Sequence, residues 1–191
     1  LCRSGTPGEA RHAYRRALEL CRDDARVWYN AGCAHSKLGQ HQEAVRCYRK
    51  AASLNPEDPA AWYNLGNSLL ELQRSRQAIR AYHHVLRLDE DDHEVWNNLG
   101  NAYAGINRFS RAIFCYLRCL KLKQDYSAAW NNLGNAWAAK GDFDKAIAVD
   151  ILLKIQVAVA VDVLAVGALA RVGHGEAKVP VPVLSVPHGC A

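Results

Sequence analysis

The chain has 191 residues, half of them hydrophobic, with a formal net charge of +5 and seven cysteines. That much apolar material excludes a wholly disordered chain, and basic residues interleaved with acids rather than gathered in a stripe argue against a nucleic-acid surface. The cysteines are odd in number, include no CxxC pair and follow no secretory leader, so no disulfide framework is expected and a reduced, intracellular setting is, first of all the cytoplasm.

The chain is periodic. Tryptophan recurs at Trp28, Trp62, Trp96 and Trp130, always 34 residues after the last, and asparagine at Asn30, Asn64, Asn98 and Asn132, glycine at Gly32, Gly66, Gly100 and Gly134, and alanine at Ala44, Ala78, Ala112 and Ala146 keep the same step. One supersecondary unit is being repeated. Residues 1–24 carry the close of an earlier unit, with Gly5, Ala10, Tyr14, Ala17 and Leu20 in the matching places. The start at Leu1 and the lack of methionine suggest a fragment or an incomplete gene product.

Residues 25–58, 59–92 and 93–126 are full units. In the second of them Trp62, Leu65, Leu69 and Leu72 form one stripe at helical spacing, and Ala78, Ile79, Tyr82, Val85, Leu86 and Leu88 form another. Between such stripes stand Gly39, Gln73, Asn107 and Gly141. Gly and Asn accept the left-handed backbone that ends a helix, so each unit is predicted to be a pair of antiparallel helices, with Gln73 its weakest turn. A glycine in a helix costs about 1 kcal/mol against alanine. Its recurrence calls for a close crossing, expected to set Gly66 against Ala78, Gly100 against Ala112 and Gly134 against Ala146.

Residues 127–149 hold most of a fourth unit, and the tyrosine due at 150 is replaced by Asp150. From there the vocabulary changes: residues 144–191 contain no Phe, Trp, Tyr or Asn and are rich in valine. Such a change in mid-helix suggests a shifted reading frame, a retained intron or an alternative end. The fourth unit's second helix is expected to run past 150 towards Gly167, within a divergent Val/Ala/Pro-rich segment, 150–191, that is disordered beyond it. Lys154, Gln156 and Asp162 argue against a membrane span, and Pro180, Pro182 and Pro187 against a paired strand.

The spacing W-x2-L-G-x2-[YLW] followed by A-x3-Y resembles the tetratricopeptide repeat, a family of 34-residue helix-turn-helix units. Departures are small: the proline late in the repeat is present as Pro56 but is Arg22, Glu90 and Gln124 elsewhere, and Ala31 stands for the leucine before Gly32. The resemblance implies an all-α, right-handed superhelical solenoid whose first helices line a concave groove. It also implies which side chains face that groove: Asn30, Asn64, Asn98 and Asn132 at the sixth position, Asn67, Asn101 and Asn135 at the ninth, and Tyr29, Tyr63, Asn97 and Asn131 at the fifth. A row of amides offers paired donors and acceptors to an extended backbone. It is similar to the groove asparagines of the repeat regions of O-GlcNAc transferase and of the peroxisomal targeting-signal receptor.

The function this implies is that of a non-catalytic scaffold for a protein or peptide partner. The alternative is the substrate-recognition arm of a larger, glycosyltransferase-like enzyme. No catalytic motif, cofactor fingerprint or metal site is read: GxSxG, P-loop and HExxH are absent, and Cys115 and Cys119, one helical turn apart, are expected to pack as small apolar residues rather than bind metal with His83 and His84. His12, His35, His41, His83, His84 and His93 follow no repeat and are expected at the surface. Nucleic acid and membrane are not expected partners. Neither is an acidic chaperone tail held by a two-carboxylate clamp, because Tyr29 and Tyr63 replace the lysine it needs and Glu94 with Asn98, or Ala128 with Asn132, replace its basic pair.

Overall fold

The structure, a computed structural model, describes residue 16 and residues 22–151. These form four consecutive helix pairs: α1 (Ala25–Lys37) with α2 (His41–Leu54), α3 (Pro59–Glu71) with α4 (Ser75–Leu88), α5 (His93–Ala104) with α6 (Phe109–Leu122), and α7 (Ser127–Lys140) with α8, which occupies residues 143–151. All belong to one compact unit. The expectations for 1–15, for 17–21 and for the segment beyond 151 lie outside the described residues.

Helix pairs form here because the sequence stops one helix and starts the next at fixed places. Asp24, Asp58 and Asp92 stand in extended backbone before α1, α3 and α5, and their carboxylates accept the N–H of Arg26, Ala60 and Glu94, each at 2.9 Å. Caps of this kind contribute about 1 kcal/mol each. At the turns, Gly39, Gln73, Asn107 and Gly141 have φ of 70°, 58°, 58° and 92°, so all four predicted breaks are left-handed. Gln73 holds this conformation without the conformational freedom of glycine, at a cost of roughly 1 kcal/mol.

Stacking joins the pairs into an all-α solenoid. Each second helix packs on the first helix of the next pair, and one apolar core runs from Ala44 on α2 to Val149 on α8, with Trp62, Trp96 and Trp130 packed against it. The indole N–H of Trp28, Trp62, Trp96 and Trp130 donates to the backbone carbonyl six residues earlier, on Arg22, Pro56, Glu90 and Gln124, at 2.8, 2.9, 2.8 and 2.8 Å. Pro56 is the repeat's proline, and Arg22, Glu90 and Gln124 stand where the other units depart from it. What the tryptophan requires there is a carbonyl, which any residue supplies.

The glycines are explained by a different neighbour from the one expected. A Cβ on Gly32, Gly66 or Gly100 would stand 2.7, 2.5 or 2.4 Å from the ring of Tyr48, Tyr82 or Tyr116, so it is the tyrosine ring, and not the buried alanine, that excludes a side chain. Ala78 and Ala112 are fully buried in their own right. At Gly134 the nearest atoms are Val149 Cγ1 at 3.5 Å and the Ala146 carbonyl at 3.9 Å, because position 150 supplies no ring.

Candidate functional site

The first helices touch one another along the array, α1 with α3, α3 with α5 and α5 with α7, whereas the backbones of the second helices do not come so close among the described elements, and α2 reaches α4 through side chains, Arg49 donating to Gln77 Oε1 at 2.6 Å. Closer approach on one side bends a stack of pairs towards that side. The first helices therefore line the inner side of the stack, and they carry the residues of repeat positions five, six and nine, which helical spacing sets within about one turn of one another.

Side-chain bonds tie these residues across repeats. Asn64 donates through Nδ2 to Tyr29 Oη at 3.2 Å, Asn98 to Tyr63 Oη at 3.2 Å, and Asn132 to Asn97 Oδ1 at 3.0 Å, so each sixth-position amide is held by the fifth-position residue of the repeat before it. Asn64 also donates to the Ala60 carbonyl and Asn98 to Asn67 Oδ1. The ninth position is anchored within its own repeat: Tyr82 and Tyr116 donate their hydroxyls to Asn67 and Asn101 Oδ1 at 2.7 and 2.8 Å, and Tyr48 reaches Cys33 Sγ at 3.4 Å. Asn135 donates to Asn131 Oδ1 at 2.9 Å, Asn97 is buried, and Asn30 and Asn131 are exposed.

Sequence reading missed the tyrosines as partners of the asparagines. The signal was available: a hydroxyl at repeat position 24 follows position nine by 15 residues in every full unit. It also missed Glu94, whose carboxylate accepts from Tyr63 Oη at 3.2 Å. Tyr29 and Tyr63 do not stand alone in the groove; their rings tilt against Tyr48 and Tyr82 at 5.9 and 6.3 Å between centroids. Burial raises both phenols above their ordinary range, so they remain neutral hydroxyls at any physiological pH.

On the inner surface between the third and fourth repeats lies a pocket of about 300 Å³. Asn101, Asn132 and Asn135 bring amides to it, and Tyr116, Phe109 and Ala136 supply apolar walls. A few polar groups converging on an apolar hollow of this size suit a side chain of a bound polypeptide.

The remaining candidates are structural. Burial pushes the Cys47 and Cys119 thiols up to about 11 and Cys115 to about 12, which keeps them protonated and unreactive at neutral pH. Among the described residues no group of three His, Cys, Asp or Glu is placed to hold a metal ion, and no helix is long and apolar enough to cross a membrane. The histidines expected at the surface divide. His83 is exposed, but His35, His41, His84 and His93 are half-buried, and His84 lies flat on Trp62 with 4.1 Å between ring centroids. His12 lies outside the described residues.

Comparison with known families places this arrangement. Models described as tetratricopeptide repeat match residues 13–46, 59–92 and 93–126, and one described as TPR repeat matches 34–73. The chain belongs to the tetratricopeptide repeat family. A search of curated proteins finds no match. Among solved structures the chain is similar to MamA (residues 41 to end) from Desulfovibrio magneticus RS-1, at 23% identity over 81% of this chain and 88% of that one, with a TM-score of 0.77. It is also similar to YrrB, described as a TPR protein with an unusual peptide-binding site, at 24% identity over 75% of this chain and 74% of that one (TM-score 0.69). The first TPR of Spaghetti (RPAP3), solved bound to the HSP90 peptide SRMEEVD, aligns at 23% identity over 62% of this chain and 94% of that one (TM-score 0.60). At these identities the likeness is one of fold.

Proposed function

We propose that this tetratricopeptide array is a protein-interaction scaffold that holds an extended segment of a partner along its first helices. The observation that carries the reading is the cross-repeat tethering of the sixth-position amides. Their N–H groups are engaged by the preceding repeat, which fixes the plane of each amide and leaves the Oδ1 of Asn64 and Asn132 to accept a backbone N–H from a strand in the groove. Two acceptors fixed before binding cost little entropy when the ligand arrives, while Asn98 Oδ1 already accepts from Asn97 Nδ2. Recognition through backbone would tolerate many partner sequences, with the Asn101, Asn132 and Asn135 pocket selecting one side chain. The peptide-binding site described for YrrB and the HSP90 peptide bound by the first TPR of Spaghetti (RPAP3) are consistent with this use of the fold. An acidic chaperone tail is not the ligand proposed here, since Tyr29, Tyr63, Glu94 and Asn98 stand where a carboxylate clamp needs basic groups.

Peptides selected from a random displayed library against the full chain test the proposal. They are expected to bind with a weak side-chain consensus and to lose affinity about tenfold when Asn64→Ala and Asn132→Ala are combined, the size of one or two lost hydrogen bonds. Selected peptides that bind unchanged to a double variant with an intact helical melt would overturn it.

A further inference from the structure

The fourth repeat keeps a socket whose ring is missing. In the first three repeats the second helix returns a tyrosine to the first helix, where the ring lies against the bare glycine and buries almost completely; Tyr48, Tyr82 and Tyr116 are 1%, 0% and 2% exposed. Its hydroxyl reaches position nine, which is Asn67 and Asn101 in the second and third repeats. In the fourth repeat the glycine and the asparagine are retained as Gly134 and Asn135, but the tyrosine position is Asp150. The result is a pocket of about 370 Å³ walled by Trp130, Gly134, Phe143, Ile147 and Val149, with Asn135 and Asp150 at its polar edge.

From this we infer that the hollow between α7 and α8 is a receptor for the phenol ring of a tyrosine carried by a partner polypeptide. The chain itself supplies the template: three sister sockets built from the same glycine are each filled by that ring, and in two of them an asparagine accepts the hydroxyl. The walls are apolar and partly aromatic, which matches the body of the ring, and Asn135 Oδ1 matches its polar tip. A volume of this order suits a small ligand or one large side chain. The inference differs from the groove reading in its place, since this hollow opens between the two helices of one repeat, and the two share Asn135 alone.

Titrating the full chain with p-cresol, the tyrosine side chain as a free molecule, and with toluene, the same ring without its hydroxyl, tests this directly. Indole N–H resonances report where binding occurs. A saturable shift of Trp130 with little change at Trp28, Trp62 and Trp96 is expected, with p-cresol bound several-fold tighter than toluene. Asn135→Ala should erase that preference while leaving toluene binding intact. Asp150→Tyr, which returns the repeat's own ring, should abolish p-cresol binding; Gly134→Leu should do the same by filling the hollow from the opposite wall, so the result does not depend on one variant folding. Absence of saturable binding, equal shifts at all the tryptophans, or p-cresol binding that survives both filling variants would overturn the inference. The two filling variants leave the amides of the groove reading in place, so their outcomes are distinguishable from a failure of peptide binding along the first helices; Asn135→Ala alone touches both sites.

Discussion

The third and fourth repeats begin with the same seven residues, WNNLGNA at 96–102 and again at 130–136, and differ in what the second helix returns to them. In the third, Tyr116 fills the space over Gly100 and binds Asn101; in the fourth, Val149 stops 3.5 Å short of a Cβ at Gly134 and Asp150 stands where the ring would be. Identical first helices therefore sit in unlike surroundings. The lesson is that a repeat's glycine has meaning only with its partner: the same residue is a steric necessity at 100 and a helix penalty without compensation at 134.

That contrast can be broken by mutation, and its largest expected effect is at the ring itself. Tyr116→Ala removes a fully buried aromatic side chain and should cost about 3 to 5 kcal/mol in urea unfolding, whereas Asp150→Ala, at an exposed position, should stay within about 0.5 kcal/mol. Comparable losses at the two sites would end the comparison. Next come the glycines. Gly100→Ala drives a methyl to 2.4 Å from Tyr116 and should destabilise by about 1 to 3 kcal/mol. Gly134→Ala meets only ordinary contact and should gain up to about 1 kcal/mol from helix propensity. Opposite signs for one substitution in one heptapeptide are the sharpest form of the claim.

Asp150→Tyr should raise the unfolding midpoint through about 1 to 2 kcal/mol of ring burial, less than Tyr116 loses because no further helix pair packs on the fourth among the described residues. Smaller again is the effect at the turns. Gln73→Gly relieves a left-handed side-chain residue and should stabilise by about 0.5 to 1 kcal/mol, while Asn107→Gly gains less because asparagine already tolerates that backbone.

The smallest effect compares the second and third repeats by pH. Trp62 carries His84 flat on its ring, where Trp96 carries the guanidinium of Arg118 at 5.4 Å. Burial first, and Arg87 second, hold His84 below its ordinary value near 6.5. The unfolded chain therefore binds the proton more readily than the folded one. Stability should fall as pH drops through about 6.5 and level off below the folded value. His84→Gln should flatten that part of a melting-midpoint profile, and a profile unchanged by it would assign the pH response elsewhere.

Much of the fold was legible because its determinants are local. The 34-residue step, the helical stripes and the breaks at Gly39, Gln73, Asn107 and Gly141 each depend on a few neighbouring residues, and all reappear in the structure at the predicted places. Helical spacing alone likewise sets Asn64 beside Asn67 on one helix face. What each amide bonds to was not legible, because its partner lies on another helix: Tyr29 to Asn64 and Asn97 to Asn132 join residues 35 positions apart.

The sequence by itself determined the unit, its length, its two helices and their stacking, because periodic apolar stripes leave a helix pair no other way to bury its surface. Only the tertiary structure decided that tyrosine rather than alanine faces Gly32, Gly66 and Gly100, that the sixth-position amides are held from the neighbouring repeat, and that a ring-sized hollow stands beside Gly134 and Asp150. Those outcomes depend on how far apart two packed helices come to rest. That distance is set by the side chains of both helices together and is written in neither one alone.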